Sequence, residues 1–314
     1  MNEDFKLAFR GFLRSPLFTF VAVASLAFGI GANAAIFSLL DQVLLRSLPI
    51  KNPHELIQIS QKGSHYGSNR GSRMNSYPLY KDYRDQSTVL NGVLARREID
   101  MNLVLGNTNE RVQGEIVSGN YFGVLGVGAA VGRVLTPDDD KNPGGHPVAV
   151  VSYDYWQSRL GANPGVVGQS IKINNFPFTI VGVSANGFNG LDPASSPAVR
   201  VPIMMKKQMT PAWDDLDNRR SRWVQVFARL KSGVSEDQAR AALQTQFRSI
   251  REQESKEAAF KNATPYAKED FLRGLVVVVR AANGYSDLRQ TFSQPLQILM
   301  GIVGMVLLIA CSNV

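Results

Sequence analysis

The stretch WVQVFARLKSGVSEDQARAALQTQFRSI, residues 223–250, contains a strand, a turn and a helix in direct succession. Residues 223–230 follow the two-residue period of a β-strand, and Lys231-Ser232-Gly233 form a turn. Ser235 and Gln238 have the spacing of a capping box, which predicts that a helix begins there. Its apolar residues recur at helical spacing, at Ala239, Ala242, Leu243, Phe247 and Ile250. A strand followed directly by an amphipathic helix is typical of folds that mix α and β elements.

The same order of elements is predicted nearer the start of the chain. Residues 55–60 have a strand pattern, and Ser76 is placed to cap a helix that ends near Gln86. Two strands joined by a turn at Gly106-Asn107 follow, at residues 93–105 and 110–117. The first strand, the helix and the next strand make a β-α-β unit.

A second β-α-β unit is completed by residues 275–279, whose β-branched run predicts a buried strand. We expect the two units to pair into one subdomain, made of residues 50–112 and 210–285. Residues 113–209 are predicted to form a mixed α/β subdomain inserted between them. Its predicted elements are a helix at residues 153–160 and strands at residues 147–151, 170–173 and 178–183. The expected fold class is therefore α+β.

The composition excludes several classes of protein. The chain has 314 residues, of which 44% are hydrophobic and 19% charged, so a disordered chain is excluded. One cysteine, Cys311, and three histidines exclude a disulfide framework and predict neither a metal site nor a cofactor site. The net charge of +8 suits either nucleic acid or an anionic membrane surface. The distribution of apolar residues favours the membrane.

Residues 17–40 are a run of 24 uncharged residues. As a helix of about 36 Å this run is long enough to cross a bilayer, and we predict a transmembrane helix over residues 17–45. The alternative is a cleaved signal peptide, because Ala32-Asn33-Ala34 has the form of a cleavage site. The apolar run continues past that site, which favours the membrane span. Residues 1–16 have their own amphipathic period and predict a cytoplasmic helix lying on an anionic leaflet.

Small residues recur every four positions in this predicted span, at Ala27, Gly31 and Ala35. Such a stripe allows a second helix to approach closely in a membrane. Residues 29–34 also fit the G-x-G-x-x-A dinucleotide fingerprint, but no strand precedes them. We therefore interpret Ala27, Gly31 and Ala35 as helix-packing residues.

Residues 296–314 are a second uncharged run, which predicts a truncated second transmembrane helix. On this basis the chain is expected to be the N-terminal fragment of a longer, multi-pass protein. Three basic residues precede the first span and two follow it closely, which predicts a cytoplasmic N-terminus. Residues 46–295 then lie outside the cytoplasm, so nucleic acid is not an expected partner.

The sequence contains few patterns that carry chemistry. It has no Gly-Lys dipeptide and hence no P-loop, and it has neither an H-E-x-x-H helix nor a G-x-S-x-G elbow. Asp138-Asp139-Asp140 lacks the remaining positions of a calcium loop and is predicted to be a solvated loop. Arg219, Arg220 and Arg222 are interpreted as a solvated strand start, with an acidic partner as the alternative. Trp156 is predicted in the core, while Trp213 is a candidate for a binding surface. We predict no catalytic residue and no enzymatic activity.

Several long segments carry a family resemblance. Residues 15–49, SPLFTFVAVASLAFGIGANAAIFSLLDQVLLRSLP, resemble the opening of MacB-like ABC permeases, especially the duplicated orphan permeases of acidobacteria. Residues 117–140, VSGNYFGVLGVGAAVGRVLTPDDD, and residues 148–183 resemble the same family. The resemblance implies a MacB-like periplasmic core domain at residues 46–295, in which a porter-like subdomain (50–112 and 210–285) is interrupted by an inserted one. It also implies four membrane helices per core, of which this sequence shows two.

The expected function follows from that resemblance. In the macrolide-exporter members an ATPase domain precedes the first span, whereas sixteen residues precede it here. We therefore expect a permease subunit of the bacterial inner membrane that couples a separate ABC ATPase to an extracytoplasmic domain, in transport such as efflux. Expected partners are that ATPase, other permease helices or a second copy, a periplasmic adaptor and membrane lipids. The alternative is a membrane-anchored extracytoplasmic binding or scaffold protein without an ATPase.

Overall fold

The computed structural model describes residues 16–40, 47–106 and 108–285, together with residues 294–295, 297–305 and 308. The chain divides into two compact units, one comprising residues 1–46 and 286–314 and the other residues 47–285. The predicted interfacial helix falls almost entirely on residues 1–15, which lie outside the described residues, as do Asn107 of the predicted turn and Cys311.

The helices and strands are numbered here in chain order. The helices are α1 (Pro16–Leu40), α2 (Tyr77–Gln86), α3 (Tyr121–Leu125), α4 (Tyr153–Arg159), α5 (Lys206–Met209), α6 (Glu236–Glu254) and α7 (Pro265–Leu272). The strands are β1 (Leu56–Lys62), β2 (Ser68–Asn69), β3 (Leu90–Leu105), β4 (Thr108–Val117), β5 (Ala129–Gly132), β6 (Val148–Val151), β7 (Ser170–Ile173), β8 (Phe176–Ser184), β9 (Val199–Pro202), β10 (Ser221–Arg222), β11 (Gln225–Leu230) and β12 (Leu275–Arg280).

Helix α1 is apolar along its whole length. Its segment Thr19–Ser38 is long and apolar enough to cross a membrane by length and composition. Apolar side chains are exposed on it, among them Leu17, Phe20 and Phe28. Residues 297–305 are also helical, within the second predicted span. The crossing of a membrane by residues 296–314 stays a prediction.

The two predicted β-α-β units interlock in one sheet. The order β12-β1-β11-β3 places β11 between the strands of the first unit and β1 between the strands of the second, and each neighbouring pair is antiparallel. Ser76 caps α2 by accepting a hydrogen bond from the Leu79 amide, and Ser235 and Gln238 form the capping box of α6. The α+β class is confirmed, and strands of the two units pair in one sheet, while their forming a separate subdomain stays a prediction.

The sheet continues from β3 into the region predicted to be inserted. The order β3-β4-β9-β6-β8-β5 follows, with β7 pairing with both β3 and β8. The strands at residues 148–151, 170–173 and 176–184 and the helix at residues 153–159 match their predicted positions. Because β4 pairs with both β3 and β9, backbone hydrogen bonds connect the two regions. The subdomain boundaries at residues 113 and 209 stay a prediction.

Successive side chains of a strand point to opposite sides of the sheet, so each strand contributes to two cores. Both faces of this sheet are covered. Helices α2 and α6 cover one face, where Ile57, Val93, Val226 and Leu243 belong to the first core. On the opposite face a second core is built around α3, and its members include Leu48, Leu56, Leu94, Phe122, Phe227, Ala281 and Tyr285.

Strand β12 differs from its prediction as a buried strand. It lies at the edge of the sheet, with β1 as its neighbour. Val276 and Val278 face the core, whereas Leu275 is 54% exposed. A β-branched run therefore predicted the strand, but its burial depended on the sheet order, which only long-range pairing determines.

Candidate functional site

The start and the end of the folded unit are hydrogen-bonded to each other. The Leu48 amide donates to the Ala282 carbonyl at 2.8 Å, and the Ala281 amide donates to the Leu56 carbonyl at 2.9 Å. Leu48, Leu56 and Ala281 are buried in the second core. The chain therefore joins and leaves residues 47–285 at one place, which we call the base.

Helix α3 packs against the first residues of the folded unit at the base. The Lys51 amide donates to the Leu125 carbonyl at 3.0 Å, and Phe122 and Leu125 are fully buried beneath it. Gly126 ends the helix with a φ of +70°, and a Cβ on it would lie 2.5 Å from the Lys51 Cβ. This close approach and this backbone conformation both require glycine.

Arg229 on β11 forms hydrogen bonds that connect the first residues of the folded unit to the sheet. Its Nε donates to the Val124 carbonyl at 3.0 Å, and its Nη1 donates to the Asn52 carbonyl at 2.9 Å and to Glu55 Oε2 at 3.1 Å. The side chain is 7% exposed. One guanidinium therefore links the start of the unit, α3 and the centre of the sheet.

The end of the unit is fixed by the loop after β8. The Tyr285 amide donates to the Leu191 carbonyl at 2.7 Å, and a Cβ on Gly284, whose φ is +81°, would lie 2.4 Å from that carbonyl oxygen. Phe188, in the same loop, packs edge-on against Tyr121 and Phe122 of α3 with ring centres 6.2 Å apart. The base thus combines both chain ends, α3 and residues 185–191.

A buried charge triad lies beside the base, on the same face of the sheet. Glu115 of β4 is paired with Arg96 of β3 and, at 2.6 Å, with Nε of Arg200 of β9. Arg96 also donates to Gln225 Oε1 of β11 at 2.8 Å. None of the three charged side chains is more than 1% exposed. Burial by itself would raise the pKa of Glu115, but the charges of Arg200 and Arg96 hold it below its ordinary value.

Tyr121 connects the triad with the base. Its hydroxyl donates to Glu115 Oε2 at 3.5 Å, and its ring lies 5.2 Å from that of Phe122. The guanidinium of Arg200 lies 5.1 Å from the Phe188 ring centre. The charged side chains of the triad thus join β3, β4 and β9 on the face of the sheet that carries the base.

The predicted helix-packing residues lie apart from the base in the chain, on α1. Ala27, Gly31 and Ala35 are exposed among the described residues, and a Cβ on Gly31 would meet no atom within 4 Å. Their packing against a neighbouring helix stays a prediction.

The prediction that Asp138-Asp139-Asp140 is a solvated loop is wrong for two of the three residues. Asp139 pairs with Arg133 and forms a capping box with Thr136. Asp140 accepts from the backbone amides of Gly119 and Met204, each at 2.9 Å. These carboxylates point at different partners, and among the described residues no group of three or more His, Cys, Asp or Glu side chains is placed to hold a metal ion.

The arginines at residues 219–222 also differ from a solvated strand start. Arg220 is exposed, but Arg219 pairs with Asp82 and Glu254, and Arg222 is 6% exposed. Trp156 is in the first core, as predicted. Trp213 is half-buried, with the Lys206 ammonium 3.2 Å from its ring centre and the Arg70 guanidinium 4.1 Å from it.

Sequence reasoning missed the triad and the base. Arg96 and Glu115 lie inside predicted strands, and Arg200 lies inside an observed strand between Val199 and Val201. A charged residue at an inward-facing strand position is a signal for a buried ion pair, since such residues are rarely buried without a partner. The signal was present for Arg96 and Glu115, but their partners became evident only with the sheet order.

Comparison with known proteins places the chain in a family. The family model of the MacB-like periplasmic core domain matches residues 19–246. The macrolide export ATP-binding/permease protein MacB of Burkholderia thailandensis is 30% identical over 107 residues, which is 34% of this chain and 15% of that protein. The chain thus matches a small part of that relative's length.

Two solved structures are similar to this chain at low sequence identity. The periplasmic region of MacB from Actinobacillus actinomycetemcomitans is 17% identical, with a TM-score of 0.49, over 84% of this chain and 98% of that one. The extracellular domain of the noncanonic ABC-type transporter YknZ from Gram-positive bacteria is 14% identical, with a TM-score of 0.46, over 65% and 97% of the two chains. Because the family model covers well over half of the sequence, this chain belongs to the family with a MacB-like periplasmic core domain.

Proposed function

We propose that the chain is a permease subunit of an ABC-type transport or mechanotransmission complex, in which a separate ATPase moves an extracytoplasmic domain. The observation that carries this proposal is the hydrogen bond between Leu48 and Ala282 at the base. The first and last residues of the folded unit meet there, and the chain continues from them toward α1 and toward the predicted second span. A movement of either segment would act on the folded unit at the same point.

Through the triad, such a movement at the base would be transmitted to the strands of the sheet. The base contacts Glu115 through Tyr121, and the triad joins β3 and β4 to β9 through charged side chains. Charge-assisted hydrogen bonds in a low-dielectric interior are strong and directional, so the three strands are expected to move together. Displacement at the base would then change the part of the unit that contains β6, β8 and β9.

These 314 residues contain no P-loop to cradle a nucleotide phosphate, so the ATPase of the proposal lies outside them. The remaining proposed partners are other permease helices or a second copy, a periplasmic adaptor and lipids of the inner membrane. The location of residues 46–295 outside the cytoplasm, and the second span, belong to the same proposal.

Affinity purification from native membranes tests the proposal. An ABC ATPase should co-purify with the tagged chain, and the complex should hydrolyse ATP, while the chain separated from it should not. A complex without any ATPase would instead support the anchored binding or scaffold protein.

The orientation is tested separately with the variant Ser232→Cys, in a turn that is exposed, after Cys311→Ser removes the native thiol. A maleimide that cannot cross membranes should label this variant in intact spheroplasts. Labelling that requires lysis would reverse the topology.

A further inference from the structure

A second pair of buried arginines lies on the other face of the sheet, away from the triad. Arg222, at the end of β10, is 6% exposed, and Arg251, on α6, is 1% exposed. Both donate to one atom, Oε1 of Gln61, at 2.8 Å and 3.0 Å. Two guanidinium cations therefore lie side by side on a neutral acceptor.

The other hydrogen bonds of this pair also go to neutral atoms. Arg251 donates to the carbonyl of Ser64 at 3.3 Å and to that of Phe271, and the Arg222 guanidinium bonds only to Gln61 among the described residues. Neither arginine forms a salt bridge within the described part of the chain. The neighbouring carboxylates of Asp82 and Glu254 are bound to Arg219, at 2.6 Å and 3.3 Å.

The electrostatics of the pair agree with this geometry. Burial, followed by the charge of Arg251, lowers the pKa of Arg222 to about 10. Burial also lowers the pKa of Arg251 to about 10, and the charge of Glu254 opposes the lowering at both arginines. Both side chains stay protonated at neutral pH, so their repulsion is present in the folded protein.

The two arginines line a small cavity that opens to solvent, with a volume of about 20 Å³ available to the centres of water-sized groups. Its wall includes Tyr66, Phe260 and Phe271, whose neighbouring rings are 4.8 Å and 4.6 Å apart. The charged side chains around it are four arginines, at positions 219, 220, 222 and 251, and two glutamates, at positions 254 and 257. The lining is therefore positive even when both glutamates are ionised.

We propose that this cavity binds a small oxyanion, a carboxylate or a phosphate, between Arg222 and Arg251. The planar N–H groups of a guanidinium match the oxygens of such anions and form charge-assisted hydrogen bonds with them. A bound oxyanion would supply the negative charge that the chain supplies to its other buried arginines through Glu115 and Glu55. The aromatic wall would contact the rest of a carboxylate-bearing ligand.

Thermal unfolding of the whole chain in detergent tests the proposal. Measurements at pH 7.5 compare sodium chloride, inorganic phosphate and succinate at equal ionic strength. Phosphate, succinate or both should raise the Tm by about 2–4 °C over chloride, because a ligand that binds the folded state stabilises it. The anion with the larger shift identifies the chemical source. Equal Tm values in all three salts would overturn the proposal.

Two variants show whether the effect arises in this cavity. Arg222→Gln should lose the anion-dependent shift, while Arg248→Gln, at a 73% exposed position on α6, the helix that carries Arg251, should keep it. Gln61→Glu places a carboxylate between the two guanidinium groups, so it should raise the Tm in chloride and remove the shift. If Arg222→Gln does not fold, Gln61→Glu alone tests whether the anion binds in this cavity. A full shift retained in Arg222→Gln or in Gln61→Glu would contradict the proposal.

Discussion

The two buried arginine pairs of this unit differ in what lies between them. Arg96 and Arg200 enclose the carboxylate of Glu115, whereas Arg222 and Arg251 share the neutral amide oxygen of Gln61. An isolated buried charge is costly, and a hydrogen-bonded partner of opposite charge offsets much of that cost. The triad therefore has its counter-charge within the chain, although both Nη atoms of Arg200 are buried without a hydrogen-bond partner among the described residues. The pair at Gln61 lacks such a counter-charge, which is why it is assigned to a ligand.

The largest expected loss of stability comes from replacing the carboxylate between Arg96 and Arg200 by a neutral amide, like the one between Arg222 and Arg251. Glu115→Gln leaves two buried guanidinium groups around a neutral amide and should destabilise the folded unit by about 3–5 kcal/mol. Urea unfolding followed by tryptophan fluorescence measures the change. Glu252→Gln, at a 54% exposed position, is the control and should alter stability by less than about 0.5 kcal/mol. A similar small change for Glu115→Gln would remove the distinction between the two pairs.

The same substitution at one arginine of each pair sharpens the comparison. Arg200→Gln takes one of two cations from Glu115, and we expect a loss of about 2–3 kcal/mol, below that of Glu115→Gln because Arg96 still pairs with the carboxylate. Arg222→Gln removes a hydrogen bond but also relieves repulsion with Arg251. Its loss in chloride should be under about 1 kcal/mol.

Unfolding of the two variants in parallel, at low ionic strength, provides the measurement. The order of the two losses is the informative result. A larger loss for Arg222→Gln than for Arg200→Gln would mean that Gln61 and the Ser64 carbonyl suffice to stabilise the second pair.

The contrast between the pairs also marks the limit of the sequence analysis. Local patterns identified the caps at Ser76 and Ser235 and most strands, because turn chemistry and side-chain period act over a few residues. They did not find the triad, since Arg200 lies 85 positions from Glu115 and the parallel pairing of β9 with β4 brings them together. They also placed Arg222 in solvent, where charged residues usually lie.

His65, beside the second pair, and Glu115, in the triad, should reduce the stability of the folded protein in different pH ranges. Burial, with the charges of Arg222 and Arg251, lowers the pKa of His65 from its ordinary 6.5. Below pH 6.5 the unfolded chain binds a proton that folded His65 resists, so stability falls as the pH drops toward the lowered value. Glu115 has a depressed pKa, so its contribution is present above its ordinary value of 4.5 and is lost below it.

Urea midpoints between pH 7.5 and 4 check this separation. His65→Gln keeps a donor for the carbonyls of Ser68 and Arg220, which His65 contacts at 3.0 Å. Relative to the parent protein it should lose less stability just below pH 6.5 and follow the same fall below pH 4.5. If the urea midpoints of parent and variant changed in parallel over the whole pH range, the charges of the second pair would not affect the titration of His65.

The smallest effect on the folded unit is expected from the apolar helix, which belongs to the other compact unit. Gly31→Leu adds a bulky side chain where a Cβ meets no atom within 4 Å, so the stability of residues 47–285 should not change. In a membrane, contact between helices depends on close backbone approach over small residues such as Ala27, Gly31 and Ala35. We therefore expect normal insertion but impaired assembly or transport in the full-length protein, with Phe20→Leu as a nearly silent control. Cross-linking of the assembled complex, together with carbonate extraction, measures both properties. Assembly of Gly31→Leu at the parent level would mean that this small-residue stripe does not face a neighbouring helix, and the difference between the two units would then lie in composition alone.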